Sequence, residues 1–407
     1  MRYGRTTSSI CITLIVVSTL IIILRWKHFL SGLKIQSADH LIASLYLILL
    51  FLVPIAMLIF IRSKSRQMSK DQGRVARFFD GLTRRKLSFI SIAILFTIGS
   101  AALLSPVISP SDPNAQPDTL ALRYLPPLSK AYIIIRSGGA EIYANEVTDR
   151  DSDILYRRSE KWESIEKNDL LDSGRKNWLK EKYFILGTDK FGRDILSRII
   201  YGSRVSLMIG ILAVLIATTL GSFIGSVSGF SGPAIDSILM RIVDIMFSFP
   251  RIFLILLIVA LFKPSLLVTI AVLGATGWMG VSRLVRSQTL SLREADFVKA
   301  AQAMGQKRGK IILKHLIPNT SSTIIVDSTM RIGNTILIEA SLSFLGLGVQ
   351  PPMPSWGSII SDGRDALLDG WWISAFPGLA LVITVVMFNI LGDSIREFLS
   401  PRSGRIR

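Results

Sequence analysis

Long uncharged apolar runs limit what this 407-residue chain can fold into. Lipid offers the backbone no hydrogen-bond partner, so a crossing segment must pair its own N–H and C=O groups in a helix or a closed barrel. A hydrocarbon core about 30 Å thick takes roughly 20 mostly apolar helical residues. Runs 6–24, 41–61, 87–110, 205–235 and 371–391 reach that length. Two shorter runs, 245–262 and 265–282, flank Lys263-Pro264 and read as a tight helical hairpin. Run 320–348 is apolar but carries Asp327, Arg331 and Glu339. The expectation is an all-α polytopic membrane protein with about eight transmembrane helices.

The formal net charge of +18 invites a nucleic-acid role, but its placement argues against one. Arg62, Lys64, Arg66, Lys70, Arg74, Arg77, Arg84, Arg85 and Lys86 crowd one loop against Asp71 and Asp80. Arg283, Arg286, Arg293, Lys299, Lys307, Arg308, Lys310 and Lys314 crowd another against Glu294 and Asp296. The 349–370 loop instead sets Arg364 among Asp362, Asp365 and Asp369. With eight spans and both termini cytoplasmic, both basic loops fall inside and the acidic loop outside, as the positive-inside rule requires. The first external loop departs from it, since Arg25, Lys27 and Lys34 outnumber Asp39. The charge therefore reads as topology in a cytoplasmic (inner) membrane, not as a nucleic-acid surface. Run 6–24 follows Arg2 and Arg5, yet no small-x-small pattern precedes Arg25-Trp26-Lys27, so an uncleaved anchor is expected. Cys11 is the single cysteine and His28, His40 and His315 are scattered, so no disulfide, catalytic metal or cofactor is expected.

Segment 109–185 is the longest polar stretch and nearly neutral, and topology places it outside as a cap or elaborated loop. Within it "KAYIIIRSGGAEIYANEV" alternates about a Gly-Gly turn, which predicts a small hairpin. The following "RRSEKWESIEKNDLLDSGRKNWLKEKYF" reads as a helix-turn-helix. Gly221, Gly225 and Gly229 recur at four-residue spacing in run 205–235, leaving a flat stripe where another helix can approach. Next, Ile235, Ile238, Leu239 and Ile242 oppose Asp236, Arg241 and Asp244, the pattern of a short helix along the inner interface. Pro250 then opens a span, and Arg251 lies near enough to its end to snorkel.

The polar stretch 293–319 is the least lipid-like part of the second half. Ser291 and Glu294 form an S-x-x-E capping box, so a helix is expected to begin at Leu292. Phe297, Ala300, Ala301 and Met304 fall at i, i+3, i+4 and i+7, one apolar stripe. Gly305 suits the left-handed residue that ends the helix, and "GKIILKHLIP" resumes helical periodicity until Pro318 stops it. Two readings stand: an amphipathic loop on lipid headgroups, or a helix pair seated in a protein groove. The small, alanine-rich stripe around one bulky Phe favours the groove.

"KAAQAMG", followed after nine intervening residues by "HLIP", resembles the EAA loop of ABC importer permeases. Ala300, Ala301, Gly305 and Pro318 match that pattern; Lys299 replaces its Glu, His315 its Ile and Ile317 its Leu. Three more segments are similar to the C-type permease of the dipeptide/oligopeptide/nickel importers: "LGTDKFGRDILSRIIYGSRVSL", "EASLSFLGLGVQPPMPSWGSIISDGRD" and "FPGLALVITVVMFNILGDSIREFLSPR". The resemblance covers about 186–402. It implies a type I permease core of six spans, beginning at 87–108 and continuing over 186–402, with the external insert 109–185. Residues 1–86 add two spans and a basic loop, and 403–407 form a cytoplasmic tail.

The resemblance further implies that 283–318 is a coupling loop seated on one of two cytoplasmic ATPases, beside a related B-type permease and an extracytoplasmic solute-binding protein. Phe297 would be the knob, Gly305 the turn, with Lys299, Ala300, Ala301, Met304 and Pro318 completing the surface. Lys299 in place of a carboxylate predicts an acidic ATPase residue opposite it. The chain is not expected to be an enzyme, since "GQKRGKI" departs from a phosphate loop in spacing and lacks the Ser/Thr that holds Mg²⁺. Asp327 and Arg331, one turn apart, can pair with each other; they and Glu339 are also candidates for the translocation path. The rival is a stand-alone secondary transporter using Asp327, Arg331 and Glu339, but no inverted repeat supports it.

Overall fold

The computed structural model describes residues 85–150, 152–171 and 178–399. Runs 6–24 and 41–61, nearly all of the 62–86 loop and the 403–407 tail lie outside the described residues. In chain order the helices are α1 (Lys86–Leu103), α2 (Ile195–Ser231), α3 (Pro233–Ser248), α4 (Arg251–Leu261) and α5 (Leu266–Arg293). They continue as α6 (Asp296–Ala303), α7 (Ile317–Phe344), α8 (Trp356–Asp362) and α9 (Trp372–Leu399). Among the described residues α1, α2, α5 and α9 are long and apolar enough to cross a membrane. Helices α3 and α4, bent by 84° at Phe249-Pro250, make a fifth span if counted as one. Each of the six later runs is thus helical, though α7 has its apolar length diluted by Asp327, Arg331 and Glu339.

The chain divides into two compact units. One contains 97–205 and 351–380; the other contains 206–350 and the described parts of 61–96 and 381–407. In the first unit, β1 (Ser129–Ile135) and β2 (Glu141–Ala144) form the expected hairpin, with Ile135 opposite Glu141 and Gly139 at φ +79° in the turn. Strand β3 (Glu146–Asp149), β4 (Asp153–Arg158) and β5 (Lys161–Glu166) make a second antiparallel sheet. Strand β6 (Leu179–Phe184) returns to pair with the free edge of β1, giving the order β2-β1-β6.

The helix-turn-helix expected over 157–184 is corrected where the chain is described: 161–166 and 179–184 are strands, while 172–177 lie outside the described residues. That stretch has charges at helical spacing but too few apolar residues to make a helical stripe. The sheets bury those it has: Ile165 of β5, with Leu170 and Trp178 from the flanking chain, joins Ile134, Ile154 and Tyr156 in one core. The register also places Arg157 against Glu146 at 2.5 Å and lets the Tyr156 hydroxyl donate to Glu163 at 2.7 Å.

The "GTDKFGRD" turn of the same unit is built around a buried ion cluster. Asp189 Oδ1 accepts the backbone N–H groups of Phe191 and Arg193 at 2.9 and 3.0 Å. Its Oδ2 receives Arg193 Nε at 2.6 Å and Arg198 Nη1 at 2.7 Å, and both arginines also reach Asp362, at 3.0 and 2.8 Å. Gly192 turns the chain at φ +73°, where a Cβ would lie 2.8 Å from Leu122 Cβ. Asp194 then caps α2 by accepting the Ser197 N–H at 2.9 Å. Trp356 and Trp372 donate their indole N–H groups to the carbonyls of Ile199 and Thr188, each at 3.1 Å. Two arginines on two carboxylates keep the cluster neutral, the condition under which buried charge is tolerated.

In the second unit the glycine stripe of α2 meets α5, as expected. A Cβ on Gly221 would lie 2.5 Å from Val281 Cβ, on Gly225 2.4 Å from the Ser282 carbonyl oxygen, and on Gly229 2.9 Å from Thr289 Cβ. Beyond the stripe, α3 is held by its polar face. Arg286 of α5 forks onto Asp236 at 2.5 and 2.6 Å, Ser228 of α2 also donates to Asp236, and Arg283 reaches Asp244 at 2.6 Å. The apolar side of α3, with Ile235, Ile238 and Ile242, is left exposed.

Two measurements test these contacts. Gly225→Ala is expected to destabilise the purified chain by about 1–3 kcal/mol, because the obstructing atom is backbone and cannot swing aside. Gly99→Ala, whose new methyl meets no atom within 4 Å, serves as the control in the same thermal unfolding experiment in detergent. Asp189→Asn leaves Arg193 and Arg198 on one carboxylate and should cost about 3–5 kcal/mol. Asp365→Asn, at an exposed pair with Arg364, should stay within about 0.5 kcal/mol.

Candidate functional site

Helix α5 runs on through Arg293, and the chain turns at Glu294-Ala295 before α6 begins. The expected capping box does not form. Ser291 lies inside α5, and Glu294 is engaged by Arg293 Nε at 3.3 Å and Lys299 Nζ at 3.4 Å. Those two cations, Arg293 foremost, hold the Glu294 carboxyl below the ordinary carboxylate range. Lys299 thus already has an acidic neighbour within the chain.

The end of α6 follows the expectation for Gly305. Its φ is +71°, its N–H reaches the Gln302 carbonyl at 2.9 Å, and the Gln306 N–H reaches the Ala301 carbonyl at 3.1 Å. This is the Schellman pair of hydrogen bonds, which satisfies two carbonyls that a helix end otherwise strands. The same device closes α7. Gly346 has φ +80° with its N–H on Ser343 at 3.0 Å, and Leu347 reaches Leu342 at 2.9 Å. Gly348 then passes so close to Ser343 that a Cβ would overlap it, which accounts for the small residues of "LSFLGLG".

The apolar stripe of α6 is divided by the fold. Ala301 is buried together with Val298 against Phe230, Ile311, Ile312 and Leu316. Phe297, Ala300 and Met304 stay exposed, Phe297 at 41% and Met304 at 70%. Val298, outside the expected stripe, turns the buried face by one position, because it is larger than any Ala and meets the isoleucines that follow the turn. Its i, i+3 spacing with Ala301 was the available signal. The ring of Phe297 lies 6.4 Å from that of His315, whose Nε2 is 3.2 Å from Gln306 Oε1.

Pro318 does not stop a helix. The backbone winds through Arg308–Ile311 and a π-helical turn, Ile312–Leu316, directly into α7, with Pro318 in its first turn. Proline brings no N–H and its ring crowds the carbonyl four residues back, so the turn before it widens. The Ile317 N–H accordingly bonds the Ile312 carbonyl, five residues back.

Of the charges in α7, Arg331 and Asp327 pair one turn apart, as their spacing suggested. Glu339 lies eight residues on, about 12 Å along the helix. It is fully buried and accepts hydrogen bonds from Ser343 at 2.7 Å and Ser206 at 3.5 Å. Arg251 departs from the snorkelling expectation: its Nε is buried, and its side chain shares a cavity wall with Arg331.

Comparison with known proteins places these features. Residues 217–405 match the family described as binding-protein-dependent transport system inner membrane component. An oligopeptide transport system permease protein of Haemophilus influenzae is 42% identical over 222 residues, 54% of this chain and 71% of the relative. A dipeptide transport system permease protein of Alkalihalophilus pseudofirmus is 45% identical over 219 residues, 53% of this chain and 71% of the relative. Among solved structures, an inward-facing MetNI methionine ABC transporter chain is similar at TM-score 0.42 and 18% identity, over 51% of this chain and 98% of that one. The segments that build the ion cluster, the glycine stripe and the two Schellman turns lie in or beside the matched region, and the chain belongs to the binding-protein-dependent transport system inner membrane components, the permease subunits of ABC importers, whose ATPase activity resides in separate subunits.

Proposed function

We propose that the chain is the C-type permease of an ATP-driven importer of short peptides. It supplies half of the pore beside a B-type permease and receives solute from an extracytoplasmic binding protein. The peptide assignment is supported by the oligopeptide and dipeptide permeases among its relatives. In this reading 109–185 lies outside, both termini lie inside, and the polar stretch 293–318 meets one of two ATPases.

The observation that carries the coupling role is the two-sidedness of α6. Val298 and Ala301 fasten it to its own chain, while Phe297, Ala300 and Met304 leave an apolar edge exposed for a partner. Gly305 ends the helix sharply and keeps that edge short. An acidic ATPase residue opposite Lys299 would compete with Glu294 for it. The path charges Asp327, Arg331 and Glu339 are proposed to face conformational changes of the pore rather than to drive transport by themselves.

Co-purification of the ATPase with the tagged chain tests this. Phe297→Ala should reduce the recovered ATPase about tenfold or more while the chain stays in the membrane at its usual level. Gly305→Val, forced into a left-handed conformation that costs about 1–2 kcal/mol, should do the same, whereas Gly305→Asn should retain binding. Full ATPase recovery with both Phe297→Ala and Gly305→Val would refute the coupling role. Uptake driven by an ion gradient without ATP would instead support the secondary-transporter rival.

A further inference from the structure

Arg251 and Arg331 come from different helices, α4 and α7, yet line one cavity of about 50 Å³. Its wall also carries Asn334, Thr335 and Gly277, and it holds no acidic side chain. Glycines sit against both guanidiniums: a Cβ on Gly280 would lie 2.8 Å from Arg331 Nη2, and one on Gly277 3.5 Å from Arg251 Nη2. The nearby carboxylate, Asp327, is already paired with Arg331. Arg251 Nε is buried and finds no hydrogen-bond partner among the described residues. Two guanidiniums and one carboxylate leave this place one positive charge in excess, against α2 and α5, two of the helices long and apolar enough to cross a membrane.

A half-buried cation without a counter-ion is costly, and a membrane interior raises that cost. The lining offers donors: two guanidinium forks, an amide and a hydroxyl. Planar forks suit a carboxylate, which they can grip through two parallel hydrogen bonds. The volume fits a carboxylate and a water, not a whole solute. Building on the peptide reading above, we propose that Arg251 and Arg331 form a carboxylate-binding notch within the membrane, which holds the free C-terminal carboxylate of a peptide in transit.

The test uses the complete importer in proteoliposomes, with its ATPases, partner permease and binding protein. Uptake of trialanine is compared with that of trialanine C-terminal amide, each normalised to the amount held by the binding protein. The wild-type importer should carry the acid about tenfold faster than the amide, the scale of one charge-assisted hydrogen bond. Arg251→Gln should bring the acid-to-amide ratio close to one, and Arg251→Lys should restore part of it. Arg331→Gln frees Asp327 as an anion and should lower the ratio below one.

Equal loss of acid and amide uptake in Arg251→Gln, with weaker co-purification of the partner permease, would mean that a carboxylate of that subunit fills the notch and would overturn the proposal. A wild-type importer that takes up both peptides alike would overturn it too, while leaving the peptide reading intact. Absence of ATP-driven uptake of either peptide would overturn the peptide reading itself, and this inference with it.

Discussion

Helices α2 and α5 touch backbone to backbone along Gly221, Gly225 and Gly229, and the geometry of the second unit depends on that contact. Lipid tails are as apolar as leucine, so expelling lipid gains little; close van der Waals fit has to bring the helices together. Because the two helices approach so nearly, Arg286 of α5 and Ser228 of α2 reach the same carboxylate on α3. One residue past the stripe, Phe230 enters the cluster that seats Val298 and Ala301. Larger side chains at the stripe would part these elements and unmake both.

Most buried and half-buried charge among the described residues is neutralised or hydrogen-bonded close by, Asp194 by Ser197. Asp189 and Asp362 balance Arg193 and Arg198, Asp236 balances Arg286, and Asp327 balances Arg331. Glu339 is satisfied by serine hydroxyls. Arg251 does not follow, and a departure that costs stability without a structural return is where a binding role is to be sought.

The helical part of this fold was legible because a bilayer enforces long apolar runs and because glycine leaves a mark wherever backbone must come close or turn left-handed. Gly221, Gly225, Gly229 and Gly305 could all be read from spacing alone. Strands β4 to β6 could not, since polar strands are fixed by their partners and not by their own pattern. The face by which α6 packs on its own chain went unread for a related reason: in a two-turn helix, Val298 and Ala301 alone carry it, and only Ala301 belongs to the stripe. The capping box failed because α5 continues through its serine and Glu294 found nearer cations. Arg251 was read as a span-end residue, yet its partner in the cavity is eighty positions away, a distance over which spacing carries no information.

The seating of α6 has a mechanical consequence. Val298 and Ala301 lock onto Phe230 and onto Ile311, Ile312 and Leu316, close to where α2 ends and α7 begins. A load applied at Phe297 therefore meets a stiff bracket fixed to two helices, not a tether that would stretch before it pulled. A displacement at its outer edge would thus be shared by both helices.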